Sequence, residues 1–254
     1  MSRGDRISVR GAWPGALHLR QGWARARARP WNEDTPSAAL RLERGSAGFL
    51  SGCVEALAGL GVDGVLTVPL YPSMTAVWVR AGFRPHRELL LLERRLDGRY
   101  SEYRPDDIGM WPNQDWVDAV IAIDDDAFDR EWRMGRLGLL EASAATPTSV
   151  VLTNAEPGRP PTGFAIVGIS GTTGFLQRLA VATSAQGSGL GRRLAMASLR
   201  WARGRGGRTM LVNTQPDNRR STALYTSMGF VVLADRLSVL RAETHSVTPY
   251  IAET

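Results

Sequence analysis

The chain has 254 residues, 43% of them apolar, enough to bury one large or two small cores. No run of 18 apolar residues and no basic-then-apolar leader occurs, so membrane spanning and secretion are not expected, and the lone Cys53 excludes an internal disulfide and fits a reducing cytoplasm. The net charge of +6 divides into +5 over residues 1–98, −7 over 99–156 and +8 over 157–254, and all 31 basic residues are arginine.

In chain order, the first patterned stretch is Arg20 to Arg29, where arginine alternates with alanine beside Trp23. Basic and aromatic residues together are one footprint of nucleic-acid binding. Alternation by twos instead describes the wet face of a strand, so no nucleic-acid partner is expected. A helix is expected around Ala38 to Leu60. Residues 64–96 then read as a strand (Gly64 to Leu70), a short helix ending in Gly82-Phe83, and a strand from Leu89 to Leu96. Asp97 to Glu102 is polar and reads as a linker.

After the linker comes a segment near Tyr103 to Ile108, then a helix from about Gln114 to Phe128 with Trp116, Val117, Val120 and Ile121 as its apolar stripe. A second helix is expected from Trp132 to Ala145. Strands follow near Ser149 to Thr153 and Thr162 to Gly168, with prolines 157, 160 and 161 between them. The acidic middle of the chain would suit a cationic amine, although a run such as Asp124-Asp125-Asp126 is more often a solvated face. Phe175 to Val181 alternates Phe, Gln, Leu and Val against Leu, Arg and Ala, as a strand with one mostly apolar face does.

Next stands Gln186-Gly187-Ser188-Gly189-Leu190-Gly191. Three glycines in five positions let successive N–H groups converge on one anion, and the helix that follows adds its positive end. That helix repeats Leu190, Leu194, Ala197 and Trp201 on one face and ends at Gly204, Gly206 and Gly207. A Walker A loop would need a lysine, and a Rossmann fingerprint a different glycine spacing and an acid after the next strand. The chain has no lysine, and its next strand, Thr209 to Asn213, ends in asparagine. Asn218 to Phe230 then forms a short helix closed by Gly229-Phe230, before a last strand at Leu237 to Arg241.

Gln186-x-x-Gly189-x-Gly191 resembles motif A of the Gcn5-related N-acetyltransferases (GNAT enzymes), and the block from Asn218 through Leu224-Tyr225 to Gly229-Phe230 is similar to their motif B. The resemblance is strong over residues 171–241 and reaches loosely back to about 104. It implies a GNAT α/β fold, a mixed and largely antiparallel central sheet flanked by helices. Residues 64–96 parallel the later series, with Trp78 standing where Tyr225 stands. The chain therefore reads as a degenerate, shortened GNAT-like module (1–98) followed by an intact one (99–254), with acetyl-CoA expected only in the second.

By the same resemblance, acetyl-CoA would lie against Leu179, Ala180 and Val181, with its diphosphate on Gln186, Gly187, Ser188, Gly189, Leu190, Gly191 and Arg192, and Arg193 near its phosphates. Asn218, Ser221 and Tyr225 would complete that site, although helix capping explains Asn218 equally well. The Leu179 N–H would polarise the thioester carbonyl, and Tyr225, protonated at neutral pH, would be the general acid. Many GNAT enzymes carry a Glu on the strand before the loop; Gln177 stands there and cannot accept a proton. Glu131, a water wire with Asn213, or direct attack by a neutral amine remain for the base. No metal is expected. A small-molecule or peptide amine is the expected acceptor, and the chain a monomer of two modules or a homodimer. A CoA-binding sensor without turnover is the rival reading.

Overall fold

The computed structural model describes residues 6–97, 107–111, 116–154 and 159–244; the expected linker from residue 98 and most of the segment at 103–108 lie outside them. In chain order the elements are β1 (Ser8–Arg10), β2 (Leu17–Gln21), β3 (Ala24–Pro30), β4 (Ser37–Arg44), α1 (Ala47–Ala58), β5 (Gly64–Thr67), α2 (Ala76–Arg80), β6 (Arg84–Arg95), β7 (Gly109–Met110), α3 (Trp116–Ala127), α4 (Gly135–Ser143), β8 (Thr148–Thr153), β9 (Gly163–Ser170), β10 (Thr173–Val181), α5 (Leu190–Gly204), β11 (Thr209–Thr214), α6 (Arg219–Ser227) and β12 (Val231–Glu243). Among the described residues no helix is long and apolar enough to cross a membrane.

Compactness divides the chain into residues 1–88 with 237–254, and residues 89–236. That cut differs from the module boundary expected at 98 and 99, and strand pairing supplies the reason. The half of β6 from Leu90 to Arg95 pairs with β11, whereas the end of β12, Arg241 to Glu243, pairs with β5. Each unit is thus completed by a strand whose other half belongs to the other unit.

In the first unit, β1 to β4 form an antiparallel meander, and β4 then pairs with β5 in parallel. The inward residues of β3 are Ala24, Ala26 and Ala28, small enough to leave room for Phe49, Leu50, Cys53 and Leu57 of α1 in one core. Burial pushes the Cys53 thiol up to about 12, so it stays a neutral apolar filler at physiological pH. The helix expected from Ala38 begins only at Ala47. Residues 37–40 are buried as a strand covered on both faces, and such a short apolar run cannot be told from a helix segment by periodicity.

In the second unit, β7, β8, β9 and β10 pair antiparallel in sequence, β10 pairs with β11 in parallel, and β11 pairs antiparallel with β6. The sheet is mixed and mainly antiparallel. α5 and α6 cover one face, where Leu176, Leu190, Leu194, Leu199, Met210 and Tyr225 share a core. α3 and α4 cover the other, where Trp116, Val120 and Leu139 meet Phe164, Ile166 and Ala180. Central β9 is buried from Gly163 to Ile169, which is why it reads as a continuous apolar run. α4 starts three residues later than the expected Trp132, because the Trp132 and Arg133 N–H groups close a turn on the Asp129 carbonyl (2.8 and 3.2 Å).

The two units repeat one local design. Trp78 and Tyr225 are both buried, and each lies against the phenylalanine five residues on, with ring centroids 5.0 and 5.5 Å apart. The Phe83 N–H donates to Trp78 O (3.1 Å) and the Phe230 N–H to Tyr225 O (3.0 Å), around glycines 82 and 229 at φ 93° and 82°. Only glycine adopts that backbone at little cost, so the helix-ending Gly-Phe has a physical cause in both places.

Candidate active site

The site is built on β10, whose pairing changes midway. With β11 it is paired only from Thr173 to Leu176, while with β9 it stays paired to Val181. Its far half therefore presents an edge to a gap. The Ala182 N–H donates to Thr162 O on the β9 side (2.8 Å). Since successive peptide groups alternate in direction, the N–H and C=O groups of Val181 and Leu179 face the gap and those of Ala180 face β9. Of the three residues expected along a bound cofactor arm, the backbone of two is oriented toward the open edge.

A bulge accompanies the change. Pairing steps from Leu176↔Val167 to Arg178↔Ile166, leaving Gln177 as the extra residue. The bulge resets the alternation read from the sequence, which had placed Phe175, Gln177, Leu179 and Val181 on one face. Leu176, Leu179 and Val181 pack on the α5 side, while Ala180 joins the α3 side and Arg178 reaches Asp124 of α3.

The glycine loop follows. Gly187 and Gly189 have φ of 82° and 81°, which other residues adopt only with strain. Gly191 needs no such φ. A Cβ there would lie 3.7 Å from Val181 and Leu224 side-chain atoms and 3.8 Å from Leu179, so its bareness keeps the head of the gap open. Gly189 caps α5 with no side-chain hydrogen bond, and the first bond of the helix runs from the Arg193 N–H to Gly189 O (3.1 Å). Among the described residues, the N–H groups of Gly187, Ser188, Gly189, Leu190, Gly191 and Arg192 meet no acceptor. Unsatisfied donors at the positive end of a 15-residue helix are a place for an anion.

Side chains around the loop brace it. Gln186 donates through Nε2 to Val181 O (3.1 Å) and accepts from Arg220 Nη1, tying the end of β10 to α6. The Ser188 hydroxyl donates to Ala185 O (2.7 Å). Arg193, expected near the phosphates, is instead held by Asp107 (2.8 Å) and Ser188 O (3.0 Å). Arg192 is exposed and donates to the Ser227 hydroxyl (3.0 Å). Asn218 caps α6, its Oδ1 accepting the Ser221 N–H at 3.0 Å.

Tyr225 is 5% exposed, and burial pushes its phenol above the ordinary value, so it holds its proton throughout the physiological range. Its hydroxyl bonds to no described group.

On the opposite face lies an arrangement the sequence did not disclose. Arg178 forms a two-point pair with Asp124 (Nε–Oδ1 2.6 Å, Nη2–Oδ2 2.8 Å), donates to Trp132 O (2.8 Å), and stacks 3.4 Å over the Phe128 ring. Asp124 is fully buried and also accepts the Met134 N–H (2.9 Å). Asp126 accepts the Thr183 N–H (2.5 Å). The run 124–126 is therefore neither a free solvated face nor an open acidic patch: two of its three carboxylates pin α3 to β10 and to the turn after it. Glu131 lies half-buried in the turn between α3 and α4. Gln177 donates to the Thr146 hydroxyl at 3.5 Å while its Oε1 is buried without a partner. That hydroxyl itself donates to Thr148 O (3.0 Å), which fixes the orientation of the amide.

The model of the acetyltransferase (GNAT) family matches residues 117–230, which contain β10, the loop and the whole of α6. Mycothiol acetyltransferase of Kineococcus radiotolerans is 32% identical over 196 residues, 74% of this chain and 64% of that protein, so the chain spans somewhat under two thirds of that relative. Aminoglycoside N(6')-acetyltransferase type 1 of Klebsiella aerogenes is 34% identical over 103 residues, 37% of this chain and 67% of that protein. Among solved structures, a tandem GNAT protein from the clavulanic acid biosynthesis pathway superposes with a TM-score of 0.60 at 13% identity, covering 95% of this chain and 84% of that one. A GCN5-related N-acetyltransferase from Kribbella flavida gives 0.55 at 14% identity, covering 95% and 91%. Sequence relatives and fold agree, and the chain belongs to the acetyltransferase (GNAT) family.

Proposed function

We propose that this protein is an acetyl-CoA-dependent N-acetyltransferase whose active site lies in the module from residue 99 onward, the module at 1–98 being a degenerate copy that binds no CoA. The observation that carries the reading is the run of unaccepted N–H groups at 187–192, shortly after a strand edge that has no partner strand among the described residues. Residues of this kind fit a diphosphate joined to an extended amide-bearing arm.

Acetyl-CoA, when bound, supplies the acetyl group as a thioester. The loop N–H groups hold the diphosphate, and Leu179 and the Val181 N–H offer main-chain groups to the arm, the Val181 carbonyl being engaged by Gln186. The Leu179 N–H is the donor for the carbonyl oxygen, where negative charge grows as the amine attacks. Tyr225 donates its proton to the departing sulfur. The attacking nitrogen gives up its own proton to Glu131 or to water, because Gln177 cannot take it.

The names of the two relatives point to mycothiol and to an aminoglycoside. We take a polar small-molecule amine as the first acceptor to test, ahead of peptide N-termini. The protein is read as cytoplasmic, a monomer of two modules or a homodimer.

One observation favours a second reading. With Gln177 in place of a carboxylate and Asp124 neutralised by Arg178, the chain would also suit a sensor that binds acetyl-CoA without turning it over. Release of free CoA on incubation with aminoglycosides, small thiol-bearing amines and peptides separates the two. Turnover with any of them supports the enzyme; tight acetyl-CoA binding with no release across the panel supports the sensor.

A further inference from the structure

In the first unit, β1 to β4 turn Leu17, Leu19, Ala26, Ala28 and Leu40 inward. The register stacks the outward residues of neighbouring strands into rows. Arg10 stands opposite His18, His18 opposite Arg27, and Arg27 opposite Arg41. In the next row Arg20 stands opposite Arg25, and Arg25 opposite Arg44. From sequence, alternation gave only a wet strand face. Pairing adds that the wet faces of successive strands bring arginine against arginine, about 5 Å apart.

Like charges directly opposite on a sheet are unfavourable, and little on these strands offsets them. Glu43 is the one acidic residue within the four strands, and it pairs with Arg27 at 2.6 Å. Among the described residues, the side chains of Arg10, Arg20, Arg25 and Arg44 have no hydrogen bond or ion pair. At the tip of the β2–β3 hairpin, between Arg20 and Arg25, the turn Gly22-Trp23 holds a tryptophan that is 66% exposed.

We propose that this arginine-lined sheet face, with Trp23 at its end, is a docking surface for single-stranded nucleic acid, a property independent of the acyl-transfer reading. Charge complementarity requires a polyanion, and guanidinium forks match phosphate oxygens. A broad sheet face does not enter a duplex groove as a helix or a two-stranded ribbon does, but it can lie along an unpaired strand. The exposed indole supplies what an acidic protein would not use, a platform on which a base stacks.

The test is fluorescence anisotropy of the full chain with a labelled 15-nucleotide oligothymidylate over a series of salt concentrations, with heparin, a duplex and anionic vesicles as competitors. If the four unpaired arginines each neutralise one phosphate, log K falls with log salt at a slope of about −2.8, from about −0.7 per phosphate on a single strand. Arg20→Gln with Arg25→Gln and Arg44→Gln should flatten the slope to about −0.7. Trp23→Ala should weaken binding by about 5-fold or more while leaving the slope unchanged. Both variants alter only outward residues, and melting curves and acetyl-CoA affinity like those of the wild type confirm that they fold. No binding at about 50 mM salt overturns the proposal. So does a preference for duplex, heparin or vesicles with Trp23→Ala without effect, which would mark the face as a plain counterion surface.

Discussion

Two turns in this molecule start from the same geometry and end differently. In the first unit, parallel pairing of β4 with β5 lasts four residues, Ser37 to Leu40, and β4 then runs on to Arg44. In the second, pairing of β10 with β11 also lasts four residues, Thr173 to Leu176, before β10 runs on to Val181. From there α1 follows β4 across only Gly45 and Ser46, and the Ser46 hydroxyl accepts the Phe49 N–H (3.3 Å), closing the helix start with the chain's own oxygen. α5 follows β10 only after residues 182–189, and its cap, Gly189, brings no side-chain acceptor. The strand divergence is thus a property of the repeated fold. The anion site is made by the longer glycine loop and by leaving the helix donors unanswered.

Breaking that difference at Gly189 should have the largest effect. Gly189→Asp forces a non-glycine residue to φ 81° and sets a carboxylate at the head of α5. Acetyl-CoA affinity by calorimetry should fall at least about 100-fold, roughly the loss of two charge-assisted hydrogen bonds; an unchanged value would remove the loop from the site.

The second contrast is between Tyr225 and its counterpart Trp78, which share packing but not a phenol. Tyr225→Phe should lower kcat by about 100-fold with little change in the KM for acetyl-CoA. Wild-type turnover in that variant would strike Tyr225 from the mechanism. Its burial has a stability consequence as well. The folded state keeps the phenol proton where the unfolded chain, near the ordinary value of 10.0, gives it up. That contribution is complete below pH 10 and is lost as the pH rises beyond it, so Tyr225→Phe should flatten the alkaline loss of stability seen in urea titrations.

A third contrast concerns the Asp124–Arg178 pair. Asp124→Ala strands a guanidinium that is only 9% exposed, and the unfolding free energy should drop by about 3–5 kcal/mol. A change below 1 kcal/mol would mean that Arg178 finds another partner. Smallest is the cap itself: Ser46→Ala should cost about 1 kcal/mol in stability and leave acetyl-CoA affinity as it was.

How much of this was legible in the sequence depends on whether the feature is local. The glycine loop, α5 and the Gly229-Phe230 helix end rest on spacing and backbone conformation within a few residues, and they stand where the sequence puts them. The sequence at the start of β4 reads as helix because Ala38 to Leu40 are buried on both faces and carry no period. The bulge at Gln177 is a mismatch between β10 and β9, which no pattern within β10 discloses. Asp124 and Arg178 lie 54 positions apart, so their pairing needs the fold. Of the expected site residues, Leu179 and Val181 face the gap, Gln186 and Asn218 spend side-chain groups on bracing and capping, and Arg193 is tied to Asp107.

The most direct measurement follows amide resonances of the labelled protein during titration with acetyl-CoA and, separately, with acetyl-pantetheine, which lacks the diphosphate. The account predicts large shifts at Gly187, Gly189, Leu190 and Gly191 with acetyl-CoA, none there with acetyl-pantetheine, and quiet amides from Gly45 to Phe49 in both. Equal shifts at the loop with both ligands, or shifts confined to the first unit, would contradict it.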